Sequence, residues 1–180
     1  IPSFTRNWLA KQGATRFPIP FGRFDMLTIL CTATALTAWS ILAEGRIVAA
    51  ACSIAAALQF ARLYRWRGWK TKAEPLVAIL HLAYLFVPLG LIAITLSALG
   101  WIDRASAMHV LTVGTISAMM LAVMTRTTRG HTGRQLTASK TTGFCYLAII
   151  ACALVRPLSA VIPGRLDLIY ASAGMLWLAA

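Results

Sequence analysis

Apolar residues fall into six long blocks separated by short polar stretches. The blocks run from about Met26 to Ala43, Ile47 to Tyr64, Pro75 to Leu99, Ala105 to Met124 and Thr141 to Val155, with a sixth from about Leu166. A membrane-spanning helix needs roughly 20 predominantly apolar residues. The pattern therefore predicts an all-α integral membrane protein with six transmembrane helices. The fifth block is expected to continue past Arg156 and Pro157 to Ile162. The sixth is still apolar at Ala180, and the chain opens with Ile1, so the expectation is a piece of something longer or a processed product. Residues 1–24 are mixed. Phe4, Trp8 and Leu9 can share one helical face with Arg6 and Lys11 elsewhere, which predicts an amphipathic segment lying at the interface. Pro18 and Pro20 break it. The predicted organisation is thus an interfacial segment over 1–24 and a six-span helical membrane domain over 25–180.

Composition agrees. The chain of 180 residues is 59% apolar and 12% charged, against about 45–50% and about 25% for soluble domains. That argues against both a soluble and a disordered chain, and no signal-peptide pattern is present. The net charge of +12 would point to nucleic acid in a soluble domain. Here the basic residues sit between apolar blocks, so the partner is a lipid bilayer and not nucleic acid. Counting Arg62 at the end of the second block, thirteen of the seventeen Lys and Arg residues fall before the first block, between the second and third, and between the fourth and fifth. The positive-inside rule places those three segments on the cytoplasmic side. Cys31, Cys52, Cys145 and Cys152 lie inside apolar blocks without a CxxC pair and read as small buried hydrophobes.

Ionisable residues within spans are costly and mark functional positions. His81 lies in the third block and His109 in the fourth, while His131 lies in the following polar loop. At 1.5 Å per residue from opposite faces, His81 and His109 stand roughly 15 Å apart along the membrane normal, too far to share one metal ion. Pro88 lacks an N–H and releases the carbonyl of Tyr84, one turn after His81. Gly114, Ala118 and Ala122 form a small-residue stripe that admits a close helix. Met119, Met120 and Met124 offer thioethers but no Met-x-x-Met cluster, so core packing is their reading. In the loop from Arg126 to Lys140, Gly130 and Gly133 bracket His131 and Thr132. Turn N–H groups there, with Arg126, Arg129 and Arg134, are expected to hold an anion such as a phosphate or a haem propionate.

Several of these runs resemble the NnrS family. They are His109-Val-Leu-Thr-Val-Gly114, Ala122-Val-Met-Thr-Arg126 and Gly130-His-Thr-Gly-Arg134. Ile1-Pro-Ser-Phe-Thr-Arg-Asn-Trp-Leu9 resembles the segment that opens the second half of such proteins, and His81-Leu-Ala-Tyr84 with Pro88-Leu-Gly90 their proline-containing span. Ser117 stands where the family pattern has glycine, and Arg129 where it has an apolar residue. The resemblance implies a C-terminal half, part of a larger helical bundle in the bacterial inner membrane, whose partner is the N-terminal half. It implies haem (heme b) and copper, and nitric oxide as the small ligand in denitrification or nitrosative stress. By that resemblance His109, His81 and His131 are the metal-ligand candidates, His109 first among them with haem its expected cofactor and copper second, and Arg126 and Arg134 are cofactor-binding partners. The alternative is half of a repeat-built transporter without redox chemistry, which the Pro88 kink and the small-residue stripe would also suit.

Topology is testable directly. A cysteine introduced at Thr137 is expected to resist a membrane-impermeant thiol reagent in intact cells and to react once the membrane is opened. Labelling from the periplasm would reverse the assignment.

Overall fold

The computed structural model describes residues 1–155, 157 and 166–180, and among them the chain is all helix and no strand. The order is α1 (Pro2–Lys11), α2 (Arg23–Leu42), α3 (Arg46–Arg65), a 3-10 turn (Gly68–Thr71), α4 (Pro75–Ala98), α5 (Arg104–His109), a π segment (Val110–Ser117), α6 (Ala118–His131), α7 (Lys140–Val155) and α8 (Leu166–Ala179). α5, the π segment and α6 run on as one rod of 28 residues. Among the described residues, four helices are long and apolar enough to cross a membrane: α2, α3, α4 and the α5–α6 rod. The fifth and sixth predicted spans correspond to α7 and α8, which are apolar but shorter within the described residues. The expected continuation of the fifth span past Arg156 to Ile162 lies outside the described residues, Pro157 apart.

Local chemistry sets the ends. Gly13 takes φ +70° just after α1, where only glycine is free of Cβ strain. Pro75 opens α4, and the Glu74 carboxylate accepts from the Leu76 N–H at 3.0 Å. Asp103 caps α5 by accepting from the Ser106 N–H at 2.8 Å and its hydroxyl at 2.6 Å. The hydroxyl bond holds the Asp103 carboxyl below its ordinary range. Its stabilisation is therefore full above the unfolded carboxylate pKa and is lost as pH falls through the lowered value.

The long polar loop of the sequence reading is shorter than expected. α6 continues through Arg126 to His131, because basic residues suit the negative end of a helix dipole. Gly130 is helical, and only Gly133 takes a positive φ, +66°. The Gly133 N–H donates to Gly130 at 3.3 Å and the Arg134 N–H to Arg129 at 3.0 Å, the pair of bonds that defines a Schellman stop.

α4 is the centre of the bundle and touches α3, the 3-10 turn, α5, the π segment, α6 and α7. Its buried residues include Leu76, Leu80, Ala83, Phe86, Leu91 and Ile94. The predicted small-residue stripe faces it, for Gly114, Ala118 and Ala122 are all buried. The crossing is reciprocal: Leu111 of the π segment fills the space a Cβ would need at Gly90, and Phe86 of α4 fills that at Gly114. By contrast, α2 turns Met26, Leu27, Ile29 and Leu30 outward, an apolar face suited to lipid.

This crossing predicts a graded effect of glycine substitution. Gly114→Val would collide with Phe86, an overpacking that costs about 1–3 kcal/mol. Thermal unfolding in detergent is expected to show a clear loss of stability for Gly114→Val and little for Gly143→Val, where nothing approaches within 4 Å. Equal behaviour would contradict the close crossing.

Candidate functional site

Three basic segments meet at one end of the bundle. α1 packs on the 3-10 turn, the Ile19 N–H donates to the Arg65 carbonyl at 3.3 Å, and Arg126 lies over the Phe4 ring at 4.6 Å. α1 therefore faces the protein through Thr5 and Leu9, which are buried, while Phe4 is exposed. The face expected from Phe4, Trp8 and Leu9 is rotated, because Thr5 has a polar partner inside.

That partner is His81. The Thr5 hydroxyl lies 2.7 Å from His81 Nε2 and donates to the Ile1 carbonyl at 3.2 Å. The histidine is 7% exposed, and its Nδ1 has no hydrogen-bond partner among the described residues. Trp66 meets the ring edge-on, with centroids 6.4 Å apart. Gly68 closes over the other edge, and a Cβ there would stand 2.5 Å from Nδ1.

A polar network adjoins this ring. Arg62 donates from Nε to Asp25 Oδ1 at 2.9 Å and from Nη1 to the Tyr84 hydroxyl at 2.8 Å. Tyr84 donates to Gln59 Oε1, and Gln59 donates to the Thr32 hydroxyl at 2.8 Å. The second Asp25 oxygen accepts from the Gly22 N–H at 3.1 Å, with Arg65 3.7 Å away. Asp25 and Gln59 are 3% and 4% exposed. The network ties α2, α3 and α4 together. Trp66 packs tilted against Tyr84, with centroids 4.5 Å apart, and carries Arg62 on its face at 5.1 Å. Sequence reading missed Asp25 and Gln59 and counted Arg62 only as a loop charge. The available signal was an Asp at the very start of the first apolar block and a Gln inside the second, both of which needed partners.

His81 also lines a groove of about 1540 Å³ between α3, α4 and α7. Its walls are mostly apolar, including Phe60, Leu82, Leu85 and Phe144, and its cations are Arg65, Lys72 and Lys140. His109 lies elsewhere. It is half-buried at the end of α5 where the π segment begins, with Nε2 3.2 Å from the Cys152 carbonyl oxygen. It lines a separate pocket of about 350 Å³ with Tyr170 and Trp177 of α8. The two cavities have no lining residue in common. His131 is exposed at the end of α6, and Arg134 is exposed just beyond. Backbone N–H groups of 132–134 donate back to helix carbonyls, so an anion held there would depend on arginine side chains. No group of three His, Cys, Asp or Glu residues is placed to hold a metal ion among the described residues.

These features define an all-helical membrane protein with a buried histidine on the wall of a large apolar groove. The chain belongs to the NnrS protein family, whose model matches residues 1–180. No curated protein and no solved structure matches the chain.

The ion pair gives a test. Removing one partner of a buried pair costs about 3–5 kcal/mol, whereas replacing both by apolar residues of similar volume is often tolerated. Asp25→Ala is expected to be markedly less stable than Asp25→Leu combined with Arg62→Met. A single variant as stable as the parent would show the pair to be peripheral.

Proposed function

We propose that this chain is the membrane part of a haem- and copper-linked protein acting in nitric oxide metabolism or protection against nitrosative stress in a bacterial inner membrane. Family membership supports the class. The observation that carries the site is the His81 ring, buried, bonded at one nitrogen and without a partner at the other among the described residues, on a groove with cations among its lining residues. That donor set fits haem. Imidazole is a common protein ligand of haem iron, and His81 would hold it. The apolar walls suit a macrocycle, and Arg65, Lys72 and Lys140 suit propionates. Bound haem would supply an iron at which a neutral diatomic gas can bind. The chain's own part is to hold the ring, exclude water with apolar walls and anchor carboxylates with cations.

Copper is the weaker match to these residues. His109 and His131 remain its candidates by family resemblance, and further donors would come from the N-terminal half of the family fold. A transporter half without redox chemistry is the second reading, favoured by the buried Asp25–Arg62 pair inside a helical membrane domain.

The purified full-length protein, loaded with haem, is expected to show a Soret band that His81→Ala removes and His109→Ala leaves. Lys140→Ala is expected to weaken haem retention more than Arg134→Ala, because Lys140 lines the groove. Loss with His109→Ala alone would move haem to the α5 end. A protein that stays colourless after loading would favour the transporter reading.

A further inference from the structure

The hydrogen bonds around His81 are asymmetric, and the asymmetry fixes its ring. Thr5 has one hydroxyl proton and two neighbours that can take it: the Ile1 carbonyl at 3.2 Å and His81 Nε2 at 2.7 Å. If the hydroxyl donates to Ile1, His81 Nε2 carries the proton and donates to the Thr5 oxygen. Two hydrogen bonds then form, and Nδ1 keeps only a lone pair. If the hydroxyl instead donates to Nε2, the bond to Ile1 is lost. The neutral ring must then carry its proton on Nδ1, where no acceptor is in place among the described residues. A neutral imidazole has one donor and one acceptor nitrogen, and a buried Nδ1 left unsatisfied is costly in either form, so the extra bond to Ile1 is what favours the first arrangement.

Gly68 completes the device. It is the residue of the 3-10 turn that lies against the Nδ1 edge, and a Cβ there would stand 2.5 Å from both Cγ and Nδ1. Nδ1 is already closed off from solvent beneath this glycine, and any larger residue would press on it and push the ring away. Gly68 and His81 both line the groove.

We infer that Thr5 of α1 and Gly68 of the 3-10 turn are positioning residues that hold His81 in the Nε2–H form and keep Nδ1 as the donor atom for a metal. The inference rests on the proposed metal-binding reading of His81 and deepens it. It makes the N-terminal helix part of the site. It also assigns the ligating nitrogen, since which nitrogen binds is set by the hydrogen bond the other makes.

The test has a readout independent of cofactor. In the full chain with ¹⁵N-labelled histidine and no cofactor, His81 is assigned by comparison with His81→Ala. Its Nδ1 is expected to give the shift of an unprotonated ring nitrogen, and Nε2 that of a protonated one. Thr5→Val is expected to mix the two forms and Thr5→Ser to restore the parent spectrum. In haem titration of the full-length protein, Thr5→Val is expected to weaken binding about tenfold or more, as loss of a ligand's supporting partner does, and Thr5→Ser to bind like the parent. Gly68→Ala is expected to weaken it as well while leaving the helical circular dichroism intact. A protonated Nδ1 in the parent overturns the inference whatever haem does. So does identical binding by Thr5→Val and Thr5→Ser. If the tautomer is as stated and haem fails to bind, the proposed function fails and the assignment of the ring stands.

Discussion

A carboxylate buried in a helical membrane domain must be neutralised close by, and the Asp25–Arg62 pair meets that constraint. Leaving either charge alone would cost several kcal/mol in surroundings of low dielectric. The pair sets the relative height of α2 and α3, because the bond from Arg62 Nε fixes the first turn of one against the last turn of the other. Arg62 then passes the constraint to α4 through the Tyr84 hydroxyl. Once α4 is set, His81 lies one turn away from Tyr84 and meets Trp66 and Thr5. The histidine is thus placed by a chain of polar contacts, each satisfying the next.

The more distal half of α4 is held differently. There the contacts are apolar and steric, with Phe86 seated against Gly114 and Leu111 against Gly90. Between helices in lipid, close packing takes over much of the role that water exclusion plays in soluble cores. The π segment begins directly after His109, and such stretches are frequent at functional positions. The two ends of α4 therefore serve different purposes. One carries a buried polar cluster beside a large groove. The other supplies a close crossing that orients the rod bearing His109.

What could be read from residues alone was mostly periodic and compositional. Long apolar blocks declare helices in a membrane, since backbone N–H and C=O groups in lipid must be satisfied within the segment. The stripe of Gly114, Ala118 and Ala122 declared a close neighbour, and the neighbour is α4. His81 and His109 stood out because an imidazole inside an apolar block needs a reason. The basic run around Arg126 to Arg134 has the polarity of a loop, yet α6 runs into it as far as His131. Polarity alone does not end a helix whose C-terminal dipole welcomes cations.

Sequence by itself determined the class of the chain, its helices and which side chains were costly where they lay. Those properties depend on residue type and spacing, and both are local. Only the tertiary structure decided which partners answer those costs. Asp25 and Arg62 lie 37 residues apart, and Thr5 and His81 lie 76 apart. No periodicity links such positions, because their pairing is set by which helices pack together. The groove beside His81 is likewise a property of three helices at once. The orientation of its ring follows from Thr5, Trp66 and Gly68, contributed by α1, the end of α3 and the following turn, which meet only in the folded bundle.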